Sequence, residues 1–161
     1  MLHVREATAS DLPAICTLGG EVNALHHEAW PRLFAPEGSP ERDLEHWQQS
    51  IARENATTFV AVVECVVVGF ATVALLKETN SLLRPLSYGR IGSVSVAKAH
   101  RGNGIGPALM AQAEKWALAR GALDLRLNVW SFNEHALHVY KELGYVARSV
   151  NLGKLPPVTG A

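Results

Sequence analysis

The chain has 161 residues, 48% hydrophobic and 19% charged, with 15 Lys and Arg balancing 15 Asp and Glu. That is ordinary globular composition, with length enough for one domain and a full core. A neutral chain without a basic run argues against nucleic acid as a partner. No apolar run approaches the roughly 18 residues of a membrane span, and the N-terminus lacks the basic-then-apolar pattern of a signal peptide.

Cys16 and Cys65 are too few and too scattered for a disulfide scaffold or a zinc site. They read as small buried hydrophobes in a reduced cytoplasm, and no metal is expected. Charge is unevenly spread. Residues 1–64 carry four Arg and ten Asp or Glu, while residues 65–161 carry eleven Lys or Arg and five Asp or Glu. The basic half suits an anionic ligand and the acidic half a cation.

In chain order, a first strand is expected over residues 2–7 and a helix from Ser10 or Asp11 to about residue 25. A second helix is expected from Ser39, with Ser39 as cap and Pro40 in the first position. Leu44, Trp47 and Ile51 form its apolar stripe. Residues 57–64 and 66–76 are rich in Val and read as a hairpin turning near Cys65. A polar connection over 77–87 leads to a fourth strand at about 88–97. A helix over about 107–120 puts Ile105, Ala108, Leu109, Gln112, Ala113 and Trp116 on one side. A fifth strand over 123–129, a helix beginning at Asn133 and a last strand over about 145–152 complete the order β-α-α-β-β-β-α-β-α-β. The fourth strand, helix and fifth strand form a parallel crossover, while the hairpin is antiparallel. The sheet is therefore mixed, in an α/β (α+β) fold, and residues 1–161 read as a single domain.

The segment from His100 to Pro107 stands between the fourth strand and the next helix. Strand, glycine-rich turn and helix in that order make an anion site, because the bare amides at a helix start favour negative charge. Arg101 adds a positive fork suited to phosphate oxygens. Spacing excludes two phosphate loops. G-x-x-x-x-G-K-[ST] would need Gly and Lys where Pro107 and Ala108 stand, and G-x-G-x-x-G fails at Pro107. What remains is R-x-x-G-x-G, on Arg101, Gly104 and Gly106. Downstream, Asn133, Ala136, Leu137, Tyr140 and Leu143 recur on one helix face. Asn133 can cap its start and Gly144 can end it in the left-handed conformation. Taken alone, Tyr140 reads equally as a half-buried core tyrosine.

Together, R-x-x-G-x-G and N-x-x-A-x-x-x-Y-x-x-x-G-[FY], on Asn133, Ala136, Tyr140, Gly144 and Tyr145, resemble the GNAT N-acetyltransferase superfamily. The resemblance extends over all but about the last eight residues. It implies a mostly antiparallel mixed sheet flanked by helices, with strands four and five splayed to admit the pantetheine arm. It implies acetyl-CoA as co-substrate and direct transfer of the acetyl group to a primary amine in a ternary complex. On that resemblance, Arg101, Gly102, Asn103, Gly104, Ile105 and Gly106 hold the pyrophosphate. Val94, Ser95 and Val96 offer strand-four backbone to the acyl group. Asn133 contacts the pantetheine arm, and Tyr140 is the general acid beside the sulfur. A homodimer through the last strands is also implied, hinted at here by the apolar residues within 146–152.

Two positions depart from the family pattern. Gly92 stands where many relatives carry a strand-four Glu, so the base must come from elsewhere or act through water. His26, His27 and Glu28 are the candidates, as base or as binders of a cationic amine, with Glu21 nearby. Either histidine reads equally as an ordinary surface or packing residue. Pro107 has no N–H and removes one amide from the phosphate site. The loss of the strand-four Glu also keeps open a non-catalytic sensor or partner module that binds CoA or acyl-CoA. Trp30, Pro31, Leu33 and Phe34, with Trp130 and Phe132, suit an acceptor with an apolar body. Polyamines, amino acids, aminoglycosides and peptide N-termini all stay open.

Overall fold

The computed structural model describes residues 1–36, 40–51 and 53–157, with backbone alone at 40 and 41. Ser39, the expected cap of the second helix, lies outside the described residues. The chain divides into two compact units, Met1–Asn128 and Val129–Ala161. The first holds β1 (Leu2–Glu6), α1 (Leu12–Ala29), α2 (Pro40–Ile51), β2 (Ala56–Val63), β3 (Val66–Lys77), β4 (Ser87–Val96), α3 (Ile105–Ala119) and β5 (Asp124–Leu127). The second holds α4 (Glu134–Glu142).

The sheet runs β1-β2-β3-β4-β5 in space. The first three pairings are antiparallel and β4–β5 is parallel. The sheet is therefore mixed and mostly antiparallel, as expected. β2 and β3 meet at Val63 and Val66, leaving Glu64 and Cys65 as a two-residue turn. Both have positive φ, 48° and 66°. That backbone matches the right-handed twist of the strands it joins. Cys65 is consequently exposed, not the buried hydrophobe expected, whereas Cys16 is half-buried.

α1 continues to Ala29, beyond the expected end near residue 25. No proline interrupts it before Pro31, and the Trp30 N–H closes it on the His26 carbonyl at 2.9 Å. Its Leu12, Ile15 and Leu18 meet Trp47 of α2, Val60 and Phe70 in the core. The Trp47 and Phe70 rings pack edge to face, 5.0 Å apart. Burying each such side chain is worth about 1.5–3 kcal/mol. α3 buries Ile105, Leu109, Ala113 and Trp116 as expected, and also Met110 and Ala117. Ala108 and Gln112 lie only at the margin of that face.

The expected last strand over 145–152 is absent from the described residues. Val146, Val150 and Leu152 are 73%, 80% and 88% exposed. Strand-like composition becomes a strand only where a neighbouring edge takes its backbone hydrogen bonds. The segment through which a dimer was expected is thus not a strand here.

At the start of the first unit, the Arg5 guanidinium donates to both carboxylate oxygens of Asp11, at 2.7 and 2.8 Å. The Thr8 N–H donates to Asp11 Oδ2 at 2.8 Å. These contacts tie β1 to the entry of α1 and lower the Asp11 pKa from 3.8 to about 2. A carboxylate depressed in the folded state stabilises fully above its unfolded value and stops doing so as pH falls through the folded one. Asp11→Asn should therefore lose about 1 kcal/mol near neutrality, a modest figure because Arg5 is partly exposed and water screens the pair. Denaturant melts should show the gap from wild type closing between about pH 4 and pH 2.

Candidate active site

β4 changes character along its length. Tyr88 to Ile91 pair with β5, from Asp124 to Leu127, and with β3 on the other side. Past Ile91 no strand among the described residues pairs with β4 on the β5 side. Residues 92–96 thus present a backbone edge there, and Val94, Ser95 and Val96 lie on it. At the changeover the β3–β4 register slips, so that Gly92 and Ser93 together oppose Thr72. The Ser93 N–H donates to Thr72 Oγ1 at 2.9 Å. A Cβ at Gly92 would lie 2.4 Å from that same hydroxyl oxygen. The missing carboxylate is therefore a matter of space as well as sequence: no side chain fits at Gly92 unless Thr72 moves.

β4 runs out into the glycine loop. The Arg101 Nε–H donates to the Val96 carbonyl at 2.9 Å, and its guanidinium lies 3.9 Å from Glu21 of α1. Gly102 and Gly104 have φ of +79° and +74°. Side chains with a Cβ rarely adopt that backbone, and Gly104 uses it to cap α3. The Asn103 amide braces the turn on the His100 carbonyl at 3.2 Å. The first bond of α3 runs from the Ala108 N–H to the Gly104 carbonyl at 3.1 Å. The amides of Ile105 and Gly106 precede that bond and belong to the unpaired start of a helix. No atom approaches within 4 Å of where a Cβ would stand on Gly102, Gly104 or Gly106. This is open backbone suited to an anion. Pro107 falls in that first turn, where it breaks no helix bond.

Two cavities adjoin β4, and His46, Trp47 and Ser93 line both. The smaller, about 270 Å³, adds Val22 and Asn23 of α1 with Arg42 and Asp43 of α2. The larger, about 450 Å³, adds Thr72, Arg90 and Gly92 from the sheet, and Arg53. His26, His27 and Glu28 line neither. The His26 Nδ1–H donates to the Val22 carbonyl at 2.6 Å and the His27 Nδ1–H to the Phe34 carbonyl at 2.8 Å. Sequence reading placed the acceptor wall on α1 and overlooked α2. The signal was nonetheless there: Arg42, His46, Gln49 and Arg53 recur at helical spacing, a polar stripe opposite the apolar one.

In the second unit, Asn133 Oδ1 accepts the Ala136 N–H at 3.2 Å and caps α4. Gly144 ends the helix with φ +90°, as the spacing predicts. Tyr140 is half-buried, its ring 6.1 Å from that of Tyr145. Burial pushes its phenol pKa up, so the group keeps its proton to higher pH.

The streptothricin acetyltransferases of Streptomyces lavendulae and Escherichia coli are 37% identical over 92 residues and 33% identical over 75. These stretches are 56% and 47% of this chain, and 45% and 42% of those proteins. The chain thus matches less than half the length of these curated relatives. Among solved structures, a variant of the BH1408 protein from Bacillus halodurans aligns with a TM-score of 0.89 at 22% identity, over 97% of this chain and 99% of that one. The aminoglycoside N-acetyltransferase AAC(6')-Iy, in complex with CoA, gives 0.76 at 15% identity, over 98% and 95%. These structural likenesses concern the fold. The model of the acetyltransferase (GNAT) family matches residues 22–145, and the chain belongs to that family.

Proposed function

We propose that the protein is an acetyl-CoA-dependent N-acetyltransferase that moves an acetyl group to a primary amine within a ternary complex. One observation carries the reading: the half-unpaired edge of β4 leads directly into an open glycine turn at the start of α3. Such an edge suits a pantetheine arm and such a turn suits a pyrophosphate. Family membership supports the same reading. A cytoplasmic setting goes with it, supported by two cysteines without disulfide partners.

In this reading the amine nitrogen attacks the thioester carbonyl, the C–S bond breaks, and CoA leaves as the thiol. A base takes the proton from nitrogen. Tyr140 gives a proton to sulfur and is reprotonated from solvent. Its raised pKa favours a phenol that is protonated when needed. A strand-four amide among Val94, Ser95 and Val96 steadies the charge on the carbonyl oxygen. For the base, the cavities favour His46 over His26, His27 and Glu28, because it lines both of them beside Ser93. A CoA-binding sensor is the second reading, favoured by the Thr72 hydroxyl in the space a strand-four carboxylate would need.

Thiol release from acetyl-CoA across an amine panel, with mass detection of the acetylated product, separates the two. Turnover on at least one amine is expected, and tight CoA binding without any turnover would establish the sensor. Tyr140→Phe should lower kcat by about a hundredfold, within the range for a lost general acid. His46→Gln should lower kcat/KM about as much, and an unchanged kcat/KM would remove His46 from the role. Pro107→Ala restores an amide and should tighten CoA binding by about two- to tenfold in calorimetry, the worth of one hydrogen bond.

A further inference from the structure

The larger cavity carries an electrostatic signature. Its lining includes Arg53 and Arg90, and no Asp or Glu. Two of the acids near by are already engaged. On the β5 side, Arg126 is the register partner of Arg90, and it takes both Glu78 and Asp124. It also lies over the Tyr88 ring at 4.0 Å. Glu6 meets the lining only through the Thr57 hydroxyl, at 3.4 Å. Arg90 has no ion pair among the described residues, and Arg53 meets only the neutral Gln49, at 3.5 Å. Two arginines without an ion pair among the described residues therefore line a cavity of about 450 Å³, of the size that holds a small molecule. A concave site with one sign of charge concentrates ligands of the other sign.

We propose that the acceptor carries a carboxylate near its amine, in the manner of a free amino acid, and that Arg90 and Arg53 bind this carboxylate. The inference rests on the acetyltransferase reading above. Its geometry follows from the strand. Arg90 lies two residues from Gly92, about 7 Å along β4, within an arginine's reach of a small molecule whose nitrogen sits at Gly92 and Ser93. The neighbouring cavity supplies His46 on the amine side, with Asp43 paired there to Arg42 at 3.4 Å. The acceptor would thus lie with its anionic end at the arginines and its amine toward His46. Guanidinium is suited to the task, because its planar fork matches a carboxylate. A polyamine would bring further positive charge against two arginines with no acid among the lining to offset it.

The test compares acceptors matched in body: leucine with 3-methylbutylamine, phenylalanine with phenethylamine, and spermidine as polycation. Higher kcat/KM for the amino acid of each pair is expected, chiefly through KM, with spermidine poorest. Arg90→Gln and Arg53→Gln should each reduce the ratio of amino acid to matched amine by about tenfold, the worth of a charged hydrogen bond. CoA-induced stabilisation in melting experiments identifies variants that remain folded. Preference for the bare amines or for spermidine would overturn the proposal, as would an unchanged ratio in both folded variants. Absence of thiol release with every amine would overturn the acetyltransferase reading. Calorimetry with the CoA-loaded protein would still decide the proposal: tighter leucine supports it, and tighter 3-methylbutylamine overturns it.

Discussion

β4 carries two demands that one regular strand cannot meet. Over its first half it is a central strand, with backbone bonds to β3 and to β5. Over its second half the β5 partner is gone, leaving carbonyls and amides on that side for another use. The slip opposite Thr72 stands between the two regimes. An extra residue inserted in a strand bends it and increases its local twist, and here the Thr72 side chain takes up the Ser93 amide that the slip would otherwise strand. The cavities gather around this point, with Gly92 and Ser93 in the lining of the larger one.

The same constraint bears on the chemistry. With the Thr72 hydroxyl filling the space above Gly92, the proposed proton acceptance would fall to a neighbouring element. α2 is suited to provide it. Trp47 holds that helix on the core through Phe70, and the adjacent turn of the helix presents Asp43 and His46 to the cavity. The apolar stripe of α2 therefore positions its polar one. A change that loosened Trp47 would disturb both cavities through packing alone.

Electrostatics divide the first unit differently from the chain's halves. The acidic half suits a cation on composition, yet two of its four arginines, Arg42 and Arg53, line the cavities. The basic half holds the glycine loop, but there Arg101 is braced on the Val96 carbonyl and lies near Glu21. Formal charge summed along a sequence says little about a site, because pairing removes some charges and leaves others. Arg126, with two carboxylates, and Arg90, with none among the described residues, are register partners on neighbouring strands.

Local chemistry was legible in the residues themselves. The two-residue turn at Glu64 and Cys65, the Asn133 cap, the Gly144 stop and the glycine loop before α3 follow from spacing, because each rests on contacts a few residues apart. The mixed character of the sheet followed from the alternation of hairpin and crossover. What depends on distant partners did not. Residues 145–152 have the composition of a strand but pair with no strand among the described residues. Cys65 looked apolar and is exposed, because the turn that holds it projects from the sheet. The role of α2 in the cavity lining, the Thr72 hydroxyl above Gly92 and the unpaired state of Arg90 were decided by tertiary structure. Each joins residues about 20 or more apart in sequence, and only the folded sheet sets the distances between them.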